Sequence, residues 1–379
     1  MQLITLFALF QTTQALLVPS PPGPYNVAVE HFELVDPSRI DHFAPEPNTK
    51  RRIMVSAYLP IEAHDRCKAQ AIPYIPSLTA SVFGELGVTL GIPKGTLERF
   101  NMEFCDMSTI TPKKGHRFNK DFPIAIFSPG AQGTRLVYGA MARSLASMGY
   151  IIFTLDHTYE ALVVEFPDGS AAYATTSNTS DLAMLEARTE DVSFLTSQLS
   201  NKTLTNRLFT HVPGYFNPEK IAVYGHSFGG STATVTVQRN PRVAGGLNLD
   251  GPIYGSVNHQ GFKNKPFVLV GVDREDGPDW GTFYNKIDAS KMILRVLKAQ
   301  HYAFTDVPLL LEKIKIPPES QKAVDKIFGT LDGRRVEKTT NQIAVGLMDL
   351  LFMNDTRVIE KVGENADVKV VRSDLVRHT

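Results

Sequence analysis

Short apolar runs, each cut off by proline, glycine or a polar cluster, recur along the chain, and after residue 120 they alternate with longer stretches of helical period. Residues 27–35 and 52–59 are alternating or β-branched, with Pro45 and Pro47 between them, and predict an antiparallel opening pair. Residues 122–128 form a buried-strand run broken by Pro129-Gly-Ala-Gln-Gly133, ahead of a helix predicted over 136–148. The strand predicted at 151–155 ends at Asp156-His157. Over 181–199 the spacing puts Leu182, Leu185, Val192, Leu195 and Leu199 on one helical face. Further strands are predicted at 221–224, 243–249, 266–272 and 292–297, with a helix after Ser227. Strands alternating with helices predict an α/β fold, a doubly wound, mostly parallel sheet covered on both faces. From about 61 to 120 the strand rhythm is interrupted by a helix predicted at 78–90 between Pro76 and Pro93. This stretch reads as an insertion between early strands. Its helix, with Phe83, Leu86 and Leu90, is either a flap over part of a pocket or a cover for the sheet's outer face.

The first ten residues, MQLITLFALF, followed by Thr13-Gln-Ala15, have the apolar core and small-residue cleavage site of a secretory signal peptide. No Lys or Arg precedes that core, so the positive start comes only from the α-amino group; a buried N-terminal strand is the alternative. The expected division is a signal peptide at 1–15 and one domain over 16–379. Pro19-Ser-Pro-Pro-Gly-Pro24 then reads as a stiff leader, with folding expected to begin near Tyr25. No other stretch approaches the ~18 consecutive apolar residues of a membrane span.

Hydrophobic residues make up 43% of the 379 and charged residues 21%, an ordinary globular balance. Lys plus Arg and Asp plus Glu number 39 each, so there is no electrostatic footprint for nucleic acid or an anionic membrane. Cys67 and Cys105 lack the CxxC or histidine company that a zinc site needs, and fit an oxidising compartment. One disulfide is expected; two separate buried thiols are the alternative. Sequons at Asn178, Asn201 and Asn354 are compatible with glycosylation and secretion.

The chemistry gathers at Ile221-Ala-Val-Tyr-Gly-His-Ser-Phe-Gly-Gly230. An apolar strand stops at a serine enclosed by glycines and runs into small residues suited to a tightly packed helix, the pattern of a nucleophile elbow. A glycine-rich turn with an idle serine is the alternative. A serine hydroxyl needs a base to take its proton and a carboxylate to orient the base. In a doubly wound sheet reactive groups collect at the carboxyl ends of the strands, which favours His301, just after the last predicted strand. His226 adjoins Ser227 on the tight turn and His157 precedes it, so both read as packing or supporting histidines. Asp250 and Asp273 each end a strand between Ser227 and His301. Asp273 belongs to an acidic cluster with Glu275 and Asp276, whereas Asp250 stands among apolar residues and glycine, which favours Asp250. For an oxyanion, one donor is the N–H of Phe228; the second is assigned to Ala131 in the Ser128–Gly133 loop, with Gln132 as a weaker choice.

Phe127-Ser-Pro-Gly-Ala131, Leu145-Ala-Ser-Met-Gly149, Gly225-His-Ser-Phe-Gly-Gly230, Leu249-Asp-Gly251 and Gln300-His301 together resemble the secreted platelet-activating-factor acetylhydrolase family, in a fungal-type form. The resemblance spans roughly residues 51–306. It implies an α/β-hydrolase fold, Ser227, Asp250 and His301 as a triad, and Phe228 and Ala131 as oxyanion donors. Its acid lies one strand earlier than in most α/β-hydrolases, which supports Asp250 over Asp273. The chain departs from the animal members at Pro129, where they have a histidine. The implied activity is a secreted serine esterase for short acyl esters, with an acetylated phospholipid as one substrate class and no metal or cofactor. A cutinase-like or polyester-hydrolysing esterase and a non-catalytic binding protein of the same fold are the alternatives. The run Val307-Pro-Leu-Leu-Leu311 reads either as a lipid-interface contact or as a core helix.

Overall fold

The structure, a computed structural model, describes residues 15–61, 67–110, 121–209, 215–274 and 280–376. The core of the predicted signal peptide and the acidic pair Glu275 and Asp276 lie outside the described residues. Nine strands form the central sheet: β1 (Asn26–Ile40), β2 (Lys50–Ile61), β3 (Asp121–Ser128), β4 (Ile151–Asp156), β5 (Tyr215–His226), β6 (Val243–Leu249), β7 (Phe267–Val272), β8 (Lys291–Val296) and β9 (Val368–Asp374). Their order across the sheet is β1-β2-β4-β3-β5-β6-β7-β8-β9. The block from β4 to β8 is parallel, β1 and β2 pair antiparallel as predicted, and β9 closes the far edge antiparallel to β8.

Both faces are covered because successive strand residues point to opposite sides. In β3, Ala125 and Phe127 pack in a core shared with α2 (Gly139–Ser147) and α5 (Gly333–Met353). Ile124 and Ile126 point the other way, into a core shared with α3 (Asp181–Gln198) and α4 (Phe228–Arg239). Leu185, Val192, Leu195 and Leu199 join that second core, but Leu182 does not: it is 58% exposed in the first turn of α3, beside Gly255. The helix predicted over 136–148 begins as a tighter 3-10 turn, Arg135–Tyr138, and becomes α-helical only at Gly139.

The expected insertion is a small unit of its own. Ala69–Pro73 and Phe100–Cys105 pair antiparallel, and Leu16–Leu17 adds a parallel third strand. Order therefore starts before Tyr25. Val18 is buried and the Pro19 carbonyl accepts from Arg143, so the proline-rich leader is fastened to the body. Cys67 and Cys105 are joined with Cα atoms 5.6 Å apart, closing 38 residues of chain. On the chain-entropy model such a closure stabilises the fold by about 4 kcal/mol. The helix α1 (Ser77–Val88) is anchored through Thr79, whose N–H and hydroxyl both donate to Glu165 Oε2. Asn178, Asn201 and Asn354 are all exposed. Leu309 and Leu310, in the short helix Val307–Leu311, are buried in the first core, so these two leucines are packing residues and are not offered to a lipid surface.

Candidate active site

The elbow follows from steric constraint at three points. Ser227 stands between β5 and α4 with φ 56° and ψ −122°, a left-handed backbone that a residue with a side chain rarely adopts. Such a conformation costs on the order of 1–3 kcal/mol and persists only where the surroundings over-determine it. Here they do. The Ser227 N–H donates to the Leu249 carbonyl at 2.8 Å, and its own carbonyl accepts from Gly230 N–H at 2.8 Å. A Cβ at Gly225 would lie 2.2 Å from the Gly229 carbonyl oxygen, and one at Gly229 would lie 1.9 Å from that of Ser128. Only glycine lets the ends of β3 and β5 and the start of α4 meet there.

Asp250 is the first residue past β6, is 1% exposed, and has φ 55°. His301 opens a 3-10 turn, His301–Phe304, after β8, with its side chain 26% exposed. Its Nδ1 lies 2.6 Å from Asp250 Oδ2 and its Nε2 lies 2.9 Å from Ser227 Oγ. A carboxylate only accepts, so Nδ1 carries the proton and Nε2 presents a lone pair to the serine hydroxyl. That arrangement can draw a proton from Ser227 while Asp250 bears the charge that develops on the ring. Asp250 has two further partners: Arg274 at 3.0 Å from Oδ2, and the Val272 N–H at 3.4 Å from Oδ1. Arg274 escaped the sequence reading, although its place at the end of β7 put it at the reactive edge. Asp273 is exposed and lies 3.6 Å from Arg295, away from the histidine.

His226 has a more definite part than packing. Its Nε2–H donates to the His301 carbonyl at 2.8 Å, so Nδ1 accepts from the Tyr138 hydroxyl at 2.9 Å. That hydroxyl in turn accepts the Gly130 N–H at 3.2 Å. Burial, reinforced by the neighbouring His301, holds the His226 pKa well below the usual histidine value and keeps the ring neutral. The turn that carries His301 is also tied at Asp306, whose carboxyl accepts from Ala140 N–H at 2.7 Å, Met141 N–H at 3.0 Å and Tyr74 Oη at 2.7 Å. Burial outweighs those three bonds and pushes the Asp306 carboxyl up to about 7.

The Ser128–Gly133 loop passes directly beside the serine: a Cβ at Gly130 would lie 3.4 Å from that of Ser227. Gln132 donates its N–H to Glu160 Oε1 at 3.0 Å, so it is not available as an oxyanion donor. Among the described residues the N–H groups of Ala131 and Phe228 carry no partner. Phe228 opens α4, where the first N–H groups of a helix are unsatisfied and its dipole is positive. His157 lies elsewhere: Nε2 is 2.9 Å from Ser128 Oγ and Nδ1 is 2.9 Å from Asp191 Oδ2, all three residues being buried.

Comparison with known proteins gives the family and the fold. The family model for platelet-activating factor acetylhydrolase, isoform II, matches residues 12–207, which include Ala131 and stop short of Ser227. A probable 1-alkyl-2-acetylglycerophosphocholine esterase of Arthroderma benhamiae is 29% identical over 342 residues, 85% of this chain and 84% of that protein. The platelet-activating factor acetylhydrolase of Cavia porcellus is 27% identical over 221 residues, 51% of this chain and 50% of that one. Among solved structures, a ferulic acid esterase from Streptomyces cinnamoneus superposes with a TM-score of 0.76 at 24% identity, covering 95% of this chain and 100% of that one, a likeness of fold. The chain is a carboxylic ester hydrolase of α/β-hydrolase fold and belongs to the platelet-activating factor acetylhydrolase, isoform II, family.

Proposed function

We propose that the protein is a secreted serine esterase that cleaves short acyl esters, the acetyl ester of a phospholipid among them, through an acyl-enzyme on Ser227. The observation that carries this reading is the unbroken path from Ser227 Oγ through His301 to Asp250, beside two partnerless N–H groups at Ala131 and Phe228. Ser227 attacks the ester carbonyl as His301 Nε2 takes its proton, and the carbonyl oxygen, now an anion, is met by the two N–H groups. His301 then gives the proton to the departing alcohol. Water, deprotonated by the same nitrogen, releases the acid and restores Ser227. Short acyl chains are supported by the acetyl ester in the name of the Arthroderma relative. Secretion is supported by the apolar N-terminal segment, the Cys67–Cys105 bond and the three exposed sequon asparagines. Cleavage after Ala15 would leave the Leu16–Leu17 strand intact.

Hydrolysis of p-nitrophenyl esters of increasing acyl length tests the substrate range. The expected result is a kcat/KM that falls at least about tenfold from acetate to octanoate, since each methylene outside a fitted pocket is worth ~1–3 kcal/mol. A preference for octanoate would overturn the short-chain assignment.

A further inference from the structure

Resting on the proposed acyl transfer at Ser227, we propose that Arg188 and Glu160 are positioning residues that clamp the Pro129–Gln132 loop so that, of the loop's own N–H groups, that of Ala131 alone faces the oxyanion beside Phe228. A loop of this kind can turn any of its peptide planes, and a donor that swings away stabilises nothing. Within one trans peptide the C=O and N–H point in opposite directions, so holding a carbonyl aims the N–H that follows it.

The loop is held in that manner, plane by plane. The Pro129 carbonyl accepts from Arg188 Nη1 at 2.7 Å, and the N–H of the same plane, on Gly130, donates to Tyr138 Oη at 3.2 Å. The Gly130 carbonyl accepts from Arg188 Nη2 at 3.0 Å and from Gly133 N–H at 3.0 Å. In the next plane Gln132 N–H donates to Glu160 Oε1 at 3.0 Å, and in the plane after that the Gln132 carbonyl accepts from Leu162 N–H at 3.1 Å. Of the four N–H groups from Gly130 to Gly133, Ala131 alone has no partner among the described residues, and its direction is set by the carbonyl that Arg188 grips.

Arg188 comes from the middle of α3, is 1% exposed, and pairs through Nη2 with Glu160 Oε2. Its guanidinium also lies 4.8 Å from the centre of the Phe228 ring. One cation therefore grips the carbonyl of the peptide plane that carries the Ala131 N–H and lies against the ring of Phe228. Its Nε–H has no partner among the described residues, so the side chain sits where two successive carbonyls need a planar fork rather than where its own hydrogen bonding is complete. Lysine keeps the charge but lacks the planar fork that holds both carbonyls and Glu160 at once.

The test compares wild type with Arg188→Lys and Glu160→Gln. For Arg188→Lys we expect kcat to fall about 10²-fold with KM nearly unchanged, the size of effect seen when an oxyanion donor is lost. Affinity for a trifluoromethyl ketone, whose hemiketal oxygen occupies the oxyanion site, falls in parallel. A fluorophosphonate still labels Ser227, slowly but to completion, so the reading of Ser227 survives even if the clamp fails. Glu160→Gln retains an acceptor for Gln132 and loses less than Arg188→Lys. A folded Arg188→Lys enzyme with unchanged kcat and ketone affinity would overturn the proposal. Where the variants do not fold, the wild-type amide spectrum decides: on forming the ketone adduct Ala131 and Phe228 N–H move downfield while Gly130 and Gln132 stay. Comparable shifts at Gly130 or Gln132 would also overturn it.

Discussion

Among the described residues there are two hydrogen-bonded Ser–His–Asp paths, and their distances do not tell them apart. In Ser227–His301–Asp250 the separations are 2.9 and 2.6 Å; in Ser128–His157–Asp191 they are 2.9 and 2.9 Å. What differs is everything around them. Ser227 sits half-buried on a left-handed elbow beside two partnerless N–H groups, with a histidine 26% exposed. Ser128 and Asp191 are 0% exposed and His157 1%, and Ser128 Oγ lies 3.4 Å from Arg188 Nη1. Asp191 is gripped by Arg51 at 2.6 Å and Arg39 at 2.7 Å. Burial alone would raise its pKa, but Arg51 and the hydrogen bonds from His157 and Arg51 prevail and hold it far below the usual carboxylate range. Burial, aided by Arg188, keeps His157 below its usual value against the pull of Asp191. The first path is partly open to solvent and lies beside two vacant N–H donors; the second is a brace joining β3, β4 and α3. A triad's distances therefore mark a candidate, and access together with vacant donors marks the reactive one.

Substitution of the two acids separates the paths most sharply. Asp250→Asn is expected to lower kcat about 10⁴-fold by favouring the wrong tautomer of His301, while Asp273→Asn stays near wild type in steady-state turnover. Near-normal turnover of Asp250→Asn would return the role to Asp273. In the buried path Asp191→Asn removes the carboxylate that Arg51 and Arg39 share, leaving the buried Arg51 with Asp41, and is expected to cost about 3–5 kcal/mol in denaturant unfolding, with kcat of the folded enzyme largely kept.

Acid unfolding gives a smaller and more graded contrast. His157 and His226 have folded pKa values below that of the unfolded chain, so the unfolded state binds more protons and stability falls as pH drops below about 6.5. Each contributes up to about 1.4 kcal/mol per pH unit. Asp306, raised to about 7, acts oppositely: its contribution is complete below the unfolded carboxylate value of 3.8 and is lost as pH rises through 7. Between roughly pH 6.5 and 4 these histidines, together with His31, which burial and Arg135 lower to about 3, draw stability down as pH falls while Asp306 opposes them. Below about pH 4 the Asp306 contribution stops changing, and Asp191, whose folded pKa is depressed, begins to lose its own, so the slope steepens. A Tm series from pH 7 to 3 checks the two slopes, and His157→Gln removes one of the histidine contributions.

Most of the central sheet was legible because its strands are apolar runs bounded by Pro and Gly. The elbow was legible because Gly225 and Gly229 have no steric alternative. His301 followed from strand ends and chain order, which left Asp250 and Asp273 as the acid; Asp250 was favoured by its apolar surroundings and by the family resemblance. The buried brace was not legible: Ser128, His157 and Asp191 come from three elements whose polar residues look individually ordinary. Arg188 reads as a charge on a helix until the loop it grips is in place. The C-terminal part was missed for another reason. Helix α5 buries Thr339, Thr340 and Asn341 along with Ile343 and Leu347, so its polar and apolar positions do not divide into two faces. β9 buries only Val368 and leaves the alternation that marks an inner strand weak.

The central claim, that Ser227 is the reactive member of two look-alike paths, is tested most directly by fluorophosphonate labelling followed by peptide mass mapping of wild type, Ser128→Ala and Ser227→Ala. The account predicts one adduct per chain on Ser227 in the first two proteins and none in the third. An adduct on Ser128, or a folded wild-type protein that takes up no probe, would contradict it.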